Sequence, residues 1–299
     1  MQSDVVQILS DLGISPADAA WTPQTGGRTN QVWRVDFGTQ SLICKLFRKP
    51  DGNPLFPNFA QAEFDALTAL KGANIAPEPV AIRHTLLGDI VVYRHLSGQP
   101  WAGDAREIAA LLARLHQQPP YPSLRRLPSG SAALIRQIRQ INAMCHTPIS
   151  GFKVSDPCVA PVARDVMIHT DVVAANIVAT PDGPRLIDWQ CPAQGDACED
   201  LASFLSPAMQ HLYGRPPMSP DQADAFLAAY PDATVRVRFQ SLARLFHLRV
   251  AAYCQWKTEQ GDSAYQQALK LERSAIDQID RHKQKRRQKN PDTDISQRA

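Results

Sequence analysis

Strand-like patterns dominate the first 93 residues of the chain. The stretches rich in β-branched and aromatic residues are residues 21–35, 41–47 and 80–93. A single helix is predicted among these strands, over residues 58–70, with Asn58 as its start signal. Within it, Phe64, Leu67 and Leu70 recur at helical spacing and would form one apolar face. The pattern therefore predicts a small β-rich region that carries one helix.

Helical patterns dominate the rest of the chain, after a connector at residues 93–100 that contains Gly and Pro. The predicted helices are residues 104–116, 131–145, 221–230, 235–257 and 262–281. We therefore predict an α+β fold of two lobes, which the length of 299 residues can fill with a large core. The lobes are a small N-terminal antiparallel-sheet lobe over residues 1–93 and a larger, mainly helical lobe over residues 94–280. Residues 281–299 are expected to be a disordered basic tail.

Polar residues with a distinctive spacing interrupt the helical region. His169, Asp171 and Asn176 follow the pattern H-x-D-x-x-x-x-N, and Asp188 comes after the next strand-like run. This set suits phosphoryl transfer, because the transferred group is negatively charged and a hard cation such as Mg²⁺ binds it through oxygen ligands. Asp171 can accept the proton of an attacking hydroxyl, while Asn176 and Asp188 can bind the metal. We therefore predict that the chain moves a phosphate from a nucleotide.

The same segment resembles the aminoglycoside phosphotransferase and choline kinase superfamily, whose members are related to the protein kinases. A tight turn at Asp182 follows the H-x-D-x-x-x-x-N loop. Residues 187–190 and 195–202 then resemble the family motifs I-D-W/F-E and G-D-x-x-x-D-L-A. The resemblance implies a protein-kinase-like fold that uses ATP and Mg²⁺. It also implies that His169 supports the catalytic loop and that Asp200 braces this loop by accepting backbone N–H bonds.

A second match lies near the start of the chain. Gly26, Gly27, Arg28, Thr29 and Asn30 begin a segment similar to the G-G-x-T-N-x-x-Y/W-x-V nucleotide loop of choline, ethanolamine and thiamine kinases. Glycines allow backbone amides to approach phosphate oxygens closely, and a Thr hydroxyl adds a further donor. These five residues are therefore predicted to bind the nucleotide phosphates.

Two charged residues extend the resemblance. Lys45 lies in a predicted strand and corresponds to the lysine that binds the α- and β-phosphates, while Glu63 on the predicted helix corresponds to the glutamate that pairs with it. The connector beginning at Tyr93, with His95 and Leu96, is the predicted hinge at which an adenine would hydrogen-bond to backbone groups.

The acceptor is a small molecule with a hydroxyl group, and the G-G-x-T-N loop favours an amino alcohol such as choline or ethanolamine, or thiamine. A quaternary ammonium would need an aromatic pocket, for which we consider Trp189, Tyr253 and Trp256 together with Gln190. The chain departs from the choline kinase pattern, because Gln190 stands where Glu is usual and Cys191 where Tyr is usual.

Two further interpretations remain open. An aminoglycoside or amino-sugar phosphotransferase would need an acidic pocket, which Asp196, Glu199 and Asp200 could supply. A catalytically silent pseudokinase would keep the same fold without the reaction.

Charge and cysteine content narrow the possible partners. Seven of the 32 Lys and Arg residues lie in residues 281–299 with two acidic residues, so the rest of the chain is slightly negative. We expect no nucleic acid and no membrane as a partner, because the chain has no other basic stripe and no 18-residue window without charge. Six cysteines without a C-x-x-C pair or a signal peptide predict a reducing, cytoplasmic location.

Overall fold

The structure, a computed structural model, describes residues 6–7, 10–11, 13, 19–24, 29–47 and 52–289 of the chain. Gly26, Gly27 and Arg28 of the predicted nucleotide loop lie outside these residues. The chain divides into two compact units: Met1–Leu127 with Val162–Phe204 and Pro220–Arg236, and Pro128–Pro161 with Leu205–Ser219 and Val237–Ala299. The predicted lobe boundary at residue 93 is therefore not the boundary between these units, since residues on both sides of it belong to the first unit.

All of the strands lie in the first unit. They are β1 Ala20–Gln24, β2 Gln31–Phe37, β3 Gln40–Phe47, β4 Pro79–Thr85, β5 Gly88–Arg94, β6 Gln99–Pro100, β7 Val166–Ile168, β8 Ile177–Thr180, β9 Gly183–Leu186 and β10 Ala193–Gly195 among the described residues. The first five form an antiparallel sheet in the order β1-β2-β3-β5-β4. Two smaller sheets have the orders β6-β8-β9 and β10-β7. The antiparallel N-terminal sheet is therefore as the sequence predicts.

The two faces of β3 have different roles. One face contributes to an apolar cluster in the five-stranded sheet, made of Val35, Leu42, Cys44, Leu46, Ile90 and Val92. Successive side chains of a strand point to opposite faces, so Lys45 points away from this cluster. Lys45 is nonetheless only 2% exposed, and a buried ammonium requires charged partners.

The helices of the described residues are α1 Ala60–Ala69, α2 Ala105–His116, α3 Ser131–Ala143, α4 Cys198–Leu205, α5 Pro207–Leu212, α6 Pro220–Ala229, α7 Ala233–Glu259 and α8 Ala264–Lys289. Helix α1 packs against β4 and β5 and buries Glu63 on its inner face. The residue at its N-cap is Phe59, and no side chain caps the helix. Asn58 is thus not the capping residue that its type suggests.

Helices α2, α4 and α6 complete the first unit. Asp104 caps α2 by accepting a hydrogen bond from the backbone N–H of Arg106 at 2.9 Å, as expected for a helix predicted to begin there. Helix α2 packs against α6. The ring centroid of Phe204 in α4 lies 4.8 Å from that of Phe226 in α6, so α4 and α6 are in aromatic contact. The ring centroid of Phe204 also lies 5.9 Å from that of Trp101.

The second unit is helical and contains α3, α5, α8 and α7 from Val237 onwards. Helix α5 packs against α8. The fully buried Glu272 of α8 accepts a hydrogen bond from Ser206, the N-cap residue of α5, and lies 2.6 Å from His247 Nδ1 of α7. A buried carboxylate needs several such partners to offset its lost hydration, so this residue ties three elements of the unit together.

The last helix is longer than predicted. Helix α8 was expected to end at Arg281, followed by a disordered tail, but it continues to Lys289. Its last turns contain Lys, Arg and Gln, which favour helix, and the first proline after them is Pro291. Residues 281–289 are therefore helical in this structure, and residues 290–299 of the predicted tail lie outside the described residues.

No helix among the described residues is long and apolar enough to cross a membrane. The six cysteines are all free thiols, and five of them are buried.

Candidate active site

Lys45 lies at the centre of a group of charges in the first unit, in which Lys45 and Glu63 are buried and Asp188 is partly exposed. Its Nζ donates to Oε2 of Glu63 at 2.5 Å and also to Oδ1 of Asp188. Burial by itself would lower the pKa of Lys45, but the carboxylates of Asp188 and Glu63 outweigh burial and raise it. Lys45 therefore keeps its positive charge, and β3, α1 and the segment after β9 are joined through one ammonium.

The catalytic-loop residues lie directly beside this group. Asp171 is 3% exposed, and its backbone carbonyl and Oδ2 accept hydrogen bonds from Nδ2 of Asn176 at 3.0 and 3.3 Å. Its other carboxylate oxygen, Oδ1, is buried and has no hydrogen-bond partner among the described residues. An unpartnered buried oxygen is costly. Asp171 thus has one lone acceptor oxygen available for a substrate proton.

The environment of Asp171 also changes its acidity. Burial, and after it the nearby negative charge of Asp188, raise the pKa of this carboxyl to about 7, although the Asn176 hydrogen bond and Lys45 act in the opposite direction. A carboxyl with a pKa close to neutrality is suited to accept a proton from a hydroxyl.

His169 supports the loop as a neutral ring. Its Nε2 donates to the carbonyl of Ile187 at 3.0 Å, and its Nδ1 accepts from the backbone N–H of Asp171 at 3.3 Å. Burial lowers the pKa of His169, which agrees with one nitrogen donating and the other accepting. The ring also makes an edge contact with Trp189, with centroids 4.4 Å apart.

Asp200, at the start of α4, also holds the loop through hydrogen bonds. Its carboxylate accepts the backbone N–H of His169 at 2.9 Å and that of Thr170 at 2.7 Å. It also lies 3.1 Å from Nε2 of His116, whose Nδ1 is 2.8 Å from the hydroxyl of Tyr230. Asp200 is fully buried, so these bonds replace its lost hydration and connect the loop to α2 and to the end of α6.

Two residues of the site have an uncommon backbone conformation. Thr170 has φ 70° and Asp188 has φ 63°. Positive φ is unfavourable for most side chains and especially for a β-branched residue, so surrounding contacts must maintain it. For Thr170 these contacts include the bond to Asp200 and a hydrogen bond from its Oγ1 to the carbonyl of Cys191 at 2.8 Å.

Asn176 and Asp188 fit a magnesium site. The backbone N–H of Ile187 donates to the carbonyl of Asn176 at 2.9 Å, which places the chain just before Asp188 against the catalytic loop. The amide oxygen of Asn176 and the carboxylate of Asp188 are hard oxygen donors, and Mg²⁺ needs few protein ligands when phosphates and water complete its shell. No cluster of three or more His, Cys, Asp or Glu side chains suited to a metal occurs in the described part of the chain.

The predicted hinge is partly occupied by internal bonds. Tyr93 is 7% exposed, and burial raises the pKa of its hydroxyl, as does the charge of Glu63. The backbone N–H of Arg94 donates to the carbonyl of Glu78 at 2.9 Å, and that of His95 donates to Ser41 at 3.0 Å. An adenine would therefore have to use backbone groups of this segment other than these two N–H groups.

Of the four predicted acceptor residues, Trp189 and Gln190 belong to the first unit, and Tyr253 and Trp256 belong to the second. Trp189 is fully buried, and its Nε1 donates to the carbonyl of Leu186 at 3.0 Å. Tyr253 and Trp256 belong to the second unit, where their rings pack 5.8 Å apart in the interior. Gln190 contacts Asn30 instead, since Nδ2 of Asn30 donates to its Oε1 at 3.0 Å. The role of these residues in acceptor binding stays a prediction.

Sequence reasoning missed the contacts that Asn58, Tyr230 and Trp189 make at the site. Asn58 pairs with Asn30 rather than capping α1. Tyr230 reaches the catalytic loop through His116, and Trp189 packs on His169. A polar Asn next to a helix start indicates only a cap, and contacts between residues far apart in sequence leave no local pattern.

Comparison with known proteins agrees with the geometry. Residues 20–240 match the phosphotransferase enzyme family. Thiamine kinase of Escherichia coli O17:K52:H18 is 32% identical over 192 residues, which cover 61% of this chain and 64% of that protein. Thiamine kinase of Salmonella dublin is 30% identical over 204 residues, covering 66% and 68%. The chain thus spans less than two thirds of the length of the E. coli relative.

Solved structures are similar in fold. Choline kinase from Cryptosporidium parvum Iowa II superposes with a TM-score of 0.60 at 15% identity, covering 93% of this chain and 97% of that one. Spectinomycin phosphotransferase in complex with ADP and spectinomycin has a TM-score of 0.58 at 15% identity, covering 91% and 93%. The predicted protein-kinase-like α+β fold is thereby confirmed, and the chain belongs to the phosphotransferase enzyme family.

Proposed function

We propose that the protein is a small-molecule kinase that transfers the γ-phosphate of ATP to a hydroxyl group of its acceptor. The observation that carries this proposal is the unpartnered Oδ1 of Asp171, a buried oxygen beside the Lys45, Glu63 and Asp188 group. A protein that only bound the nucleotide would not need a buried carboxylate oxygen without a hydrogen-bond partner at this position, because such an oxygen destabilises the fold.

Each residue of the site has a separate role in the proposed reaction. Lys45, held by Glu63, binds the phosphates of the nucleotide, and Asn176 with Asp188 binds Mg²⁺. The metal, when bound, neutralises negative charge on the phosphate oxygens. Asp171 orients the acceptor hydroxyl through Oδ1 and accepts its proton, which the pKa of about 7 permits near neutral pH. His169 and Asp200 keep the loop in place.

For the acceptor we propose a thiamine-like or amino-alcohol molecule. Support comes from the thiamine kinase relatives at 30 to 32% identity and from the G-G-x-T-N loop at residues 26–30. The two structural neighbours have 15% identity to this chain and support only the fold. They therefore do not favour an aminoglycoside as the acceptor.

The experiment is Mg²⁺-dependent ADP release from ATP with a panel of thiamine, choline, ethanolamine, amino sugars and aminoglycosides. Asp171→Asn is run beside the wild-type protein, and Asp165→Asn serves as the control because Asp165 pairs with Arg126, whose side chain is 78% exposed. We expect thiamine or an amino alcohol to stimulate release in the wild type and the control but not in Asp171→Asn. Binding of Mg²⁺-ATP without release for any acceptor would instead favour the pseudokinase interpretation, and stimulation by an aminoglycoside alone would replace the proposed acceptor.

A further inference from the structure

Three side-chain amides form a cluster in the first unit. Asn30 and Asn58 bond reciprocally, each Nδ2 donating to the other Oδ1 at 2.8 Å, and Nδ2 of Asn30 also donates to Oε1 of Gln190 at 3.0 Å. Asn58 is 3% exposed and Gln190 7%. We refer to Asn30, Asn58 and Gln190 as the amide cluster.

The amide cluster joins the same three segments as the charged group around Lys45. Asn30 precedes β2, in which Val32 is paired with Lys45 of β3. Asn58 lies five residues before Glu63, and Gln190 lies two residues after Asp188. The backbone N–H of Phe59, just before α1, also donates a hydrogen bond to the carbonyl of Gln190 at 3.1 Å. This bond adds a further link between α1 and the segment that contains Asp188. The sheet, α1 and the metal-binding segment are therefore connected twice, once by charges and once by amides.

The two connections respond differently to a bound nucleotide. If Lys45 binds phosphate oxygens and Asp188 binds a metal, the direct contact between Lys45 and Asp188 must weaken, because both partners gain stronger opposite charges. Hydrogen bonds between neutral amides do not depend on this redistribution of charge. The amide cluster can therefore hold α1 and the metal-binding segment in register while the charged group changes partners.

We propose that Asn58 and Gln190, through Asn30, are positioning residues that keep Glu63 and Asp188 aligned with Lys45 when nucleotide binds. This inference rests on the proposed kinase function. It assigns Asn58 a role that its type does not suggest, and it moves Gln190 from the acceptor pocket to the nucleotide side of the site. Asn30 is the last residue of the G-G-x-T-N segment and directly precedes β2, so the cluster also anchors the chain where it enters the sheet.

The test uses two variants that remove hydrogen bonds, one that conserves them and one control. Gln190→Met and Asn58→Leu keep the approximate side-chain volume. Gln190→Met loses the oxygen that accepts from Asn30, and Asn58→Leu loses both hydrogen bonds with Asn30. Gln190→Glu retains an acceptor oxygen for Asn30. Gln194→Met is the matched control, because Gln194 is an equally buried amide of the same unit whose Nε2 donates to the carbonyl of Tyr121 at 2.6 Å. Dissociation constants for Mg²⁺-ATP by calorimetry, thermal unfolding temperatures, and kcat with both KM values are measured for each.

The expected result is a loss of affinity for Mg²⁺-ATP of about tenfold or more in Gln190→Met and Asn58→Leu, as for a buried hydrogen bond that is broken. Gln190→Glu should stay within about threefold of the wild type, well below the effect of a lost hydrogen bond. The acceptor KM should be unchanged in all variants. Gln194→Met should lose a similar amount of thermal stability without a change in nucleotide affinity.

Three outcomes would overturn the proposal. Equal behaviour of Asn58→Leu and Gln194→Met, with lower stability and unchanged nucleotide affinity, would show a purely structural role. A selective rise of the acceptor KM in Gln190→Met would return Gln190 to the acceptor pocket. Absence of Mg²⁺-ATP binding to the wild type would remove the kinase function and this role together, whereas binding without turnover of any acceptor affects only the proposed function and leaves the calorimetric comparison decisive.

Discussion

The backbone N–H of Thr170, a β-branched residue at φ 70°, donates to the buried carboxylate of Asp200 at 2.7 Å. This single bond connects a strained position in the catalytic loop to the start of α4. The strain and the bond belong together, because an unfavourable backbone conformation persists only where surrounding contacts enforce it.

Replacement of Asp200 by Asn should release the catalytic loop. An Asn side chain presents an NH₂ group to one of the N–H donors of His169 and Thr170, so at least one buried bond is lost. We expect the free energy of unfolding to fall by about 2 to 4 kcal/mol and kcat to fall by about two orders of magnitude, as for a mispositioned catalytic group. Urea unfolding and steady-state kinetics check both, with Asp165→Asn as the control. A variant with wild-type kcat would contradict the bracing role.

Removal of the charge on Lys45 should lower both the stability and the turnover of the protein, and a second substitution should restore only the stability. Lys45→Met leaves the buried carboxylate of Glu63 and that of Asp188 without their ammonium partner, and we expect a loss of about 3 to 5 kcal/mol in the free energy of unfolding. The double variant Lys45→Met with Glu63→Leu should recover part of this stability, because the buried carboxylate is removed with its partner. Neither variant should regain turnover. Recovery of activity in the double variant would exclude a direct role of Lys45 on the phosphates.

Stability without nucleotide should depend on pH through Asp171. The pKa of its carboxyl is about 7 in the folded protein against an ordinary value of 3.8, so between these values the folded state binds more protons than the unfolded chain. The free energy of unfolding contributed by this group is therefore present at low pH and is lost as pH rises towards 7.

Asp171→Asn removes this pH dependence, because its amide does not ionise. We expect the inactive variant to be more stable than the wild type at pH 8, with an advantage that grows by roughly 2 kcal/mol between pH 5 and pH 8. Urea unfolding of both proteins at the two pH values, without nucleotide or metal, measures the difference. A constant difference between the two proteins would mean that Asp171 is not the group that titrates.

A substitution in the interior of the second unit should affect stability alone. Tyr253 is 2% exposed and packs against Trp256 and Tyr265. Tyr253→Leu should lower the free energy of unfolding by about 2 to 4 kcal/mol through lost packing. We expect the acceptor KM to remain unchanged when measured well below the unfolding temperature. A marked rise in that KM would instead support the pocket role predicted from the sequence.

Local patterns predicted much of the secondary structure around the site, although not α4, which carries Asp200. The helical spacing of Leu67 and its neighbours predicted α1, and the tight turn at Asp182 predicted the β8-β9 hairpin, which pairs Thr180 with Gly183. Gly183 has φ 106°, a conformation that glycine adopts without strain. Such features depend on a few adjacent residues, which explains why they can be predicted from one sequence.

The sequence by itself determined the strands of the N-terminal sheet, most of the helices and the family, because these depend on local propensity and on the spacing of His169, Asp171, Asn176 and Asp188, the residues proposed for phosphoryl transfer. Only the tertiary structure decided which distant side chains meet. It paired Asn58 with Asn30, placed Tyr253 in the interior of the second unit, and left one oxygen of Asp171 without a partner. Long-range packing and burial select among many possible partners for each polar group, and no local pattern records that choice.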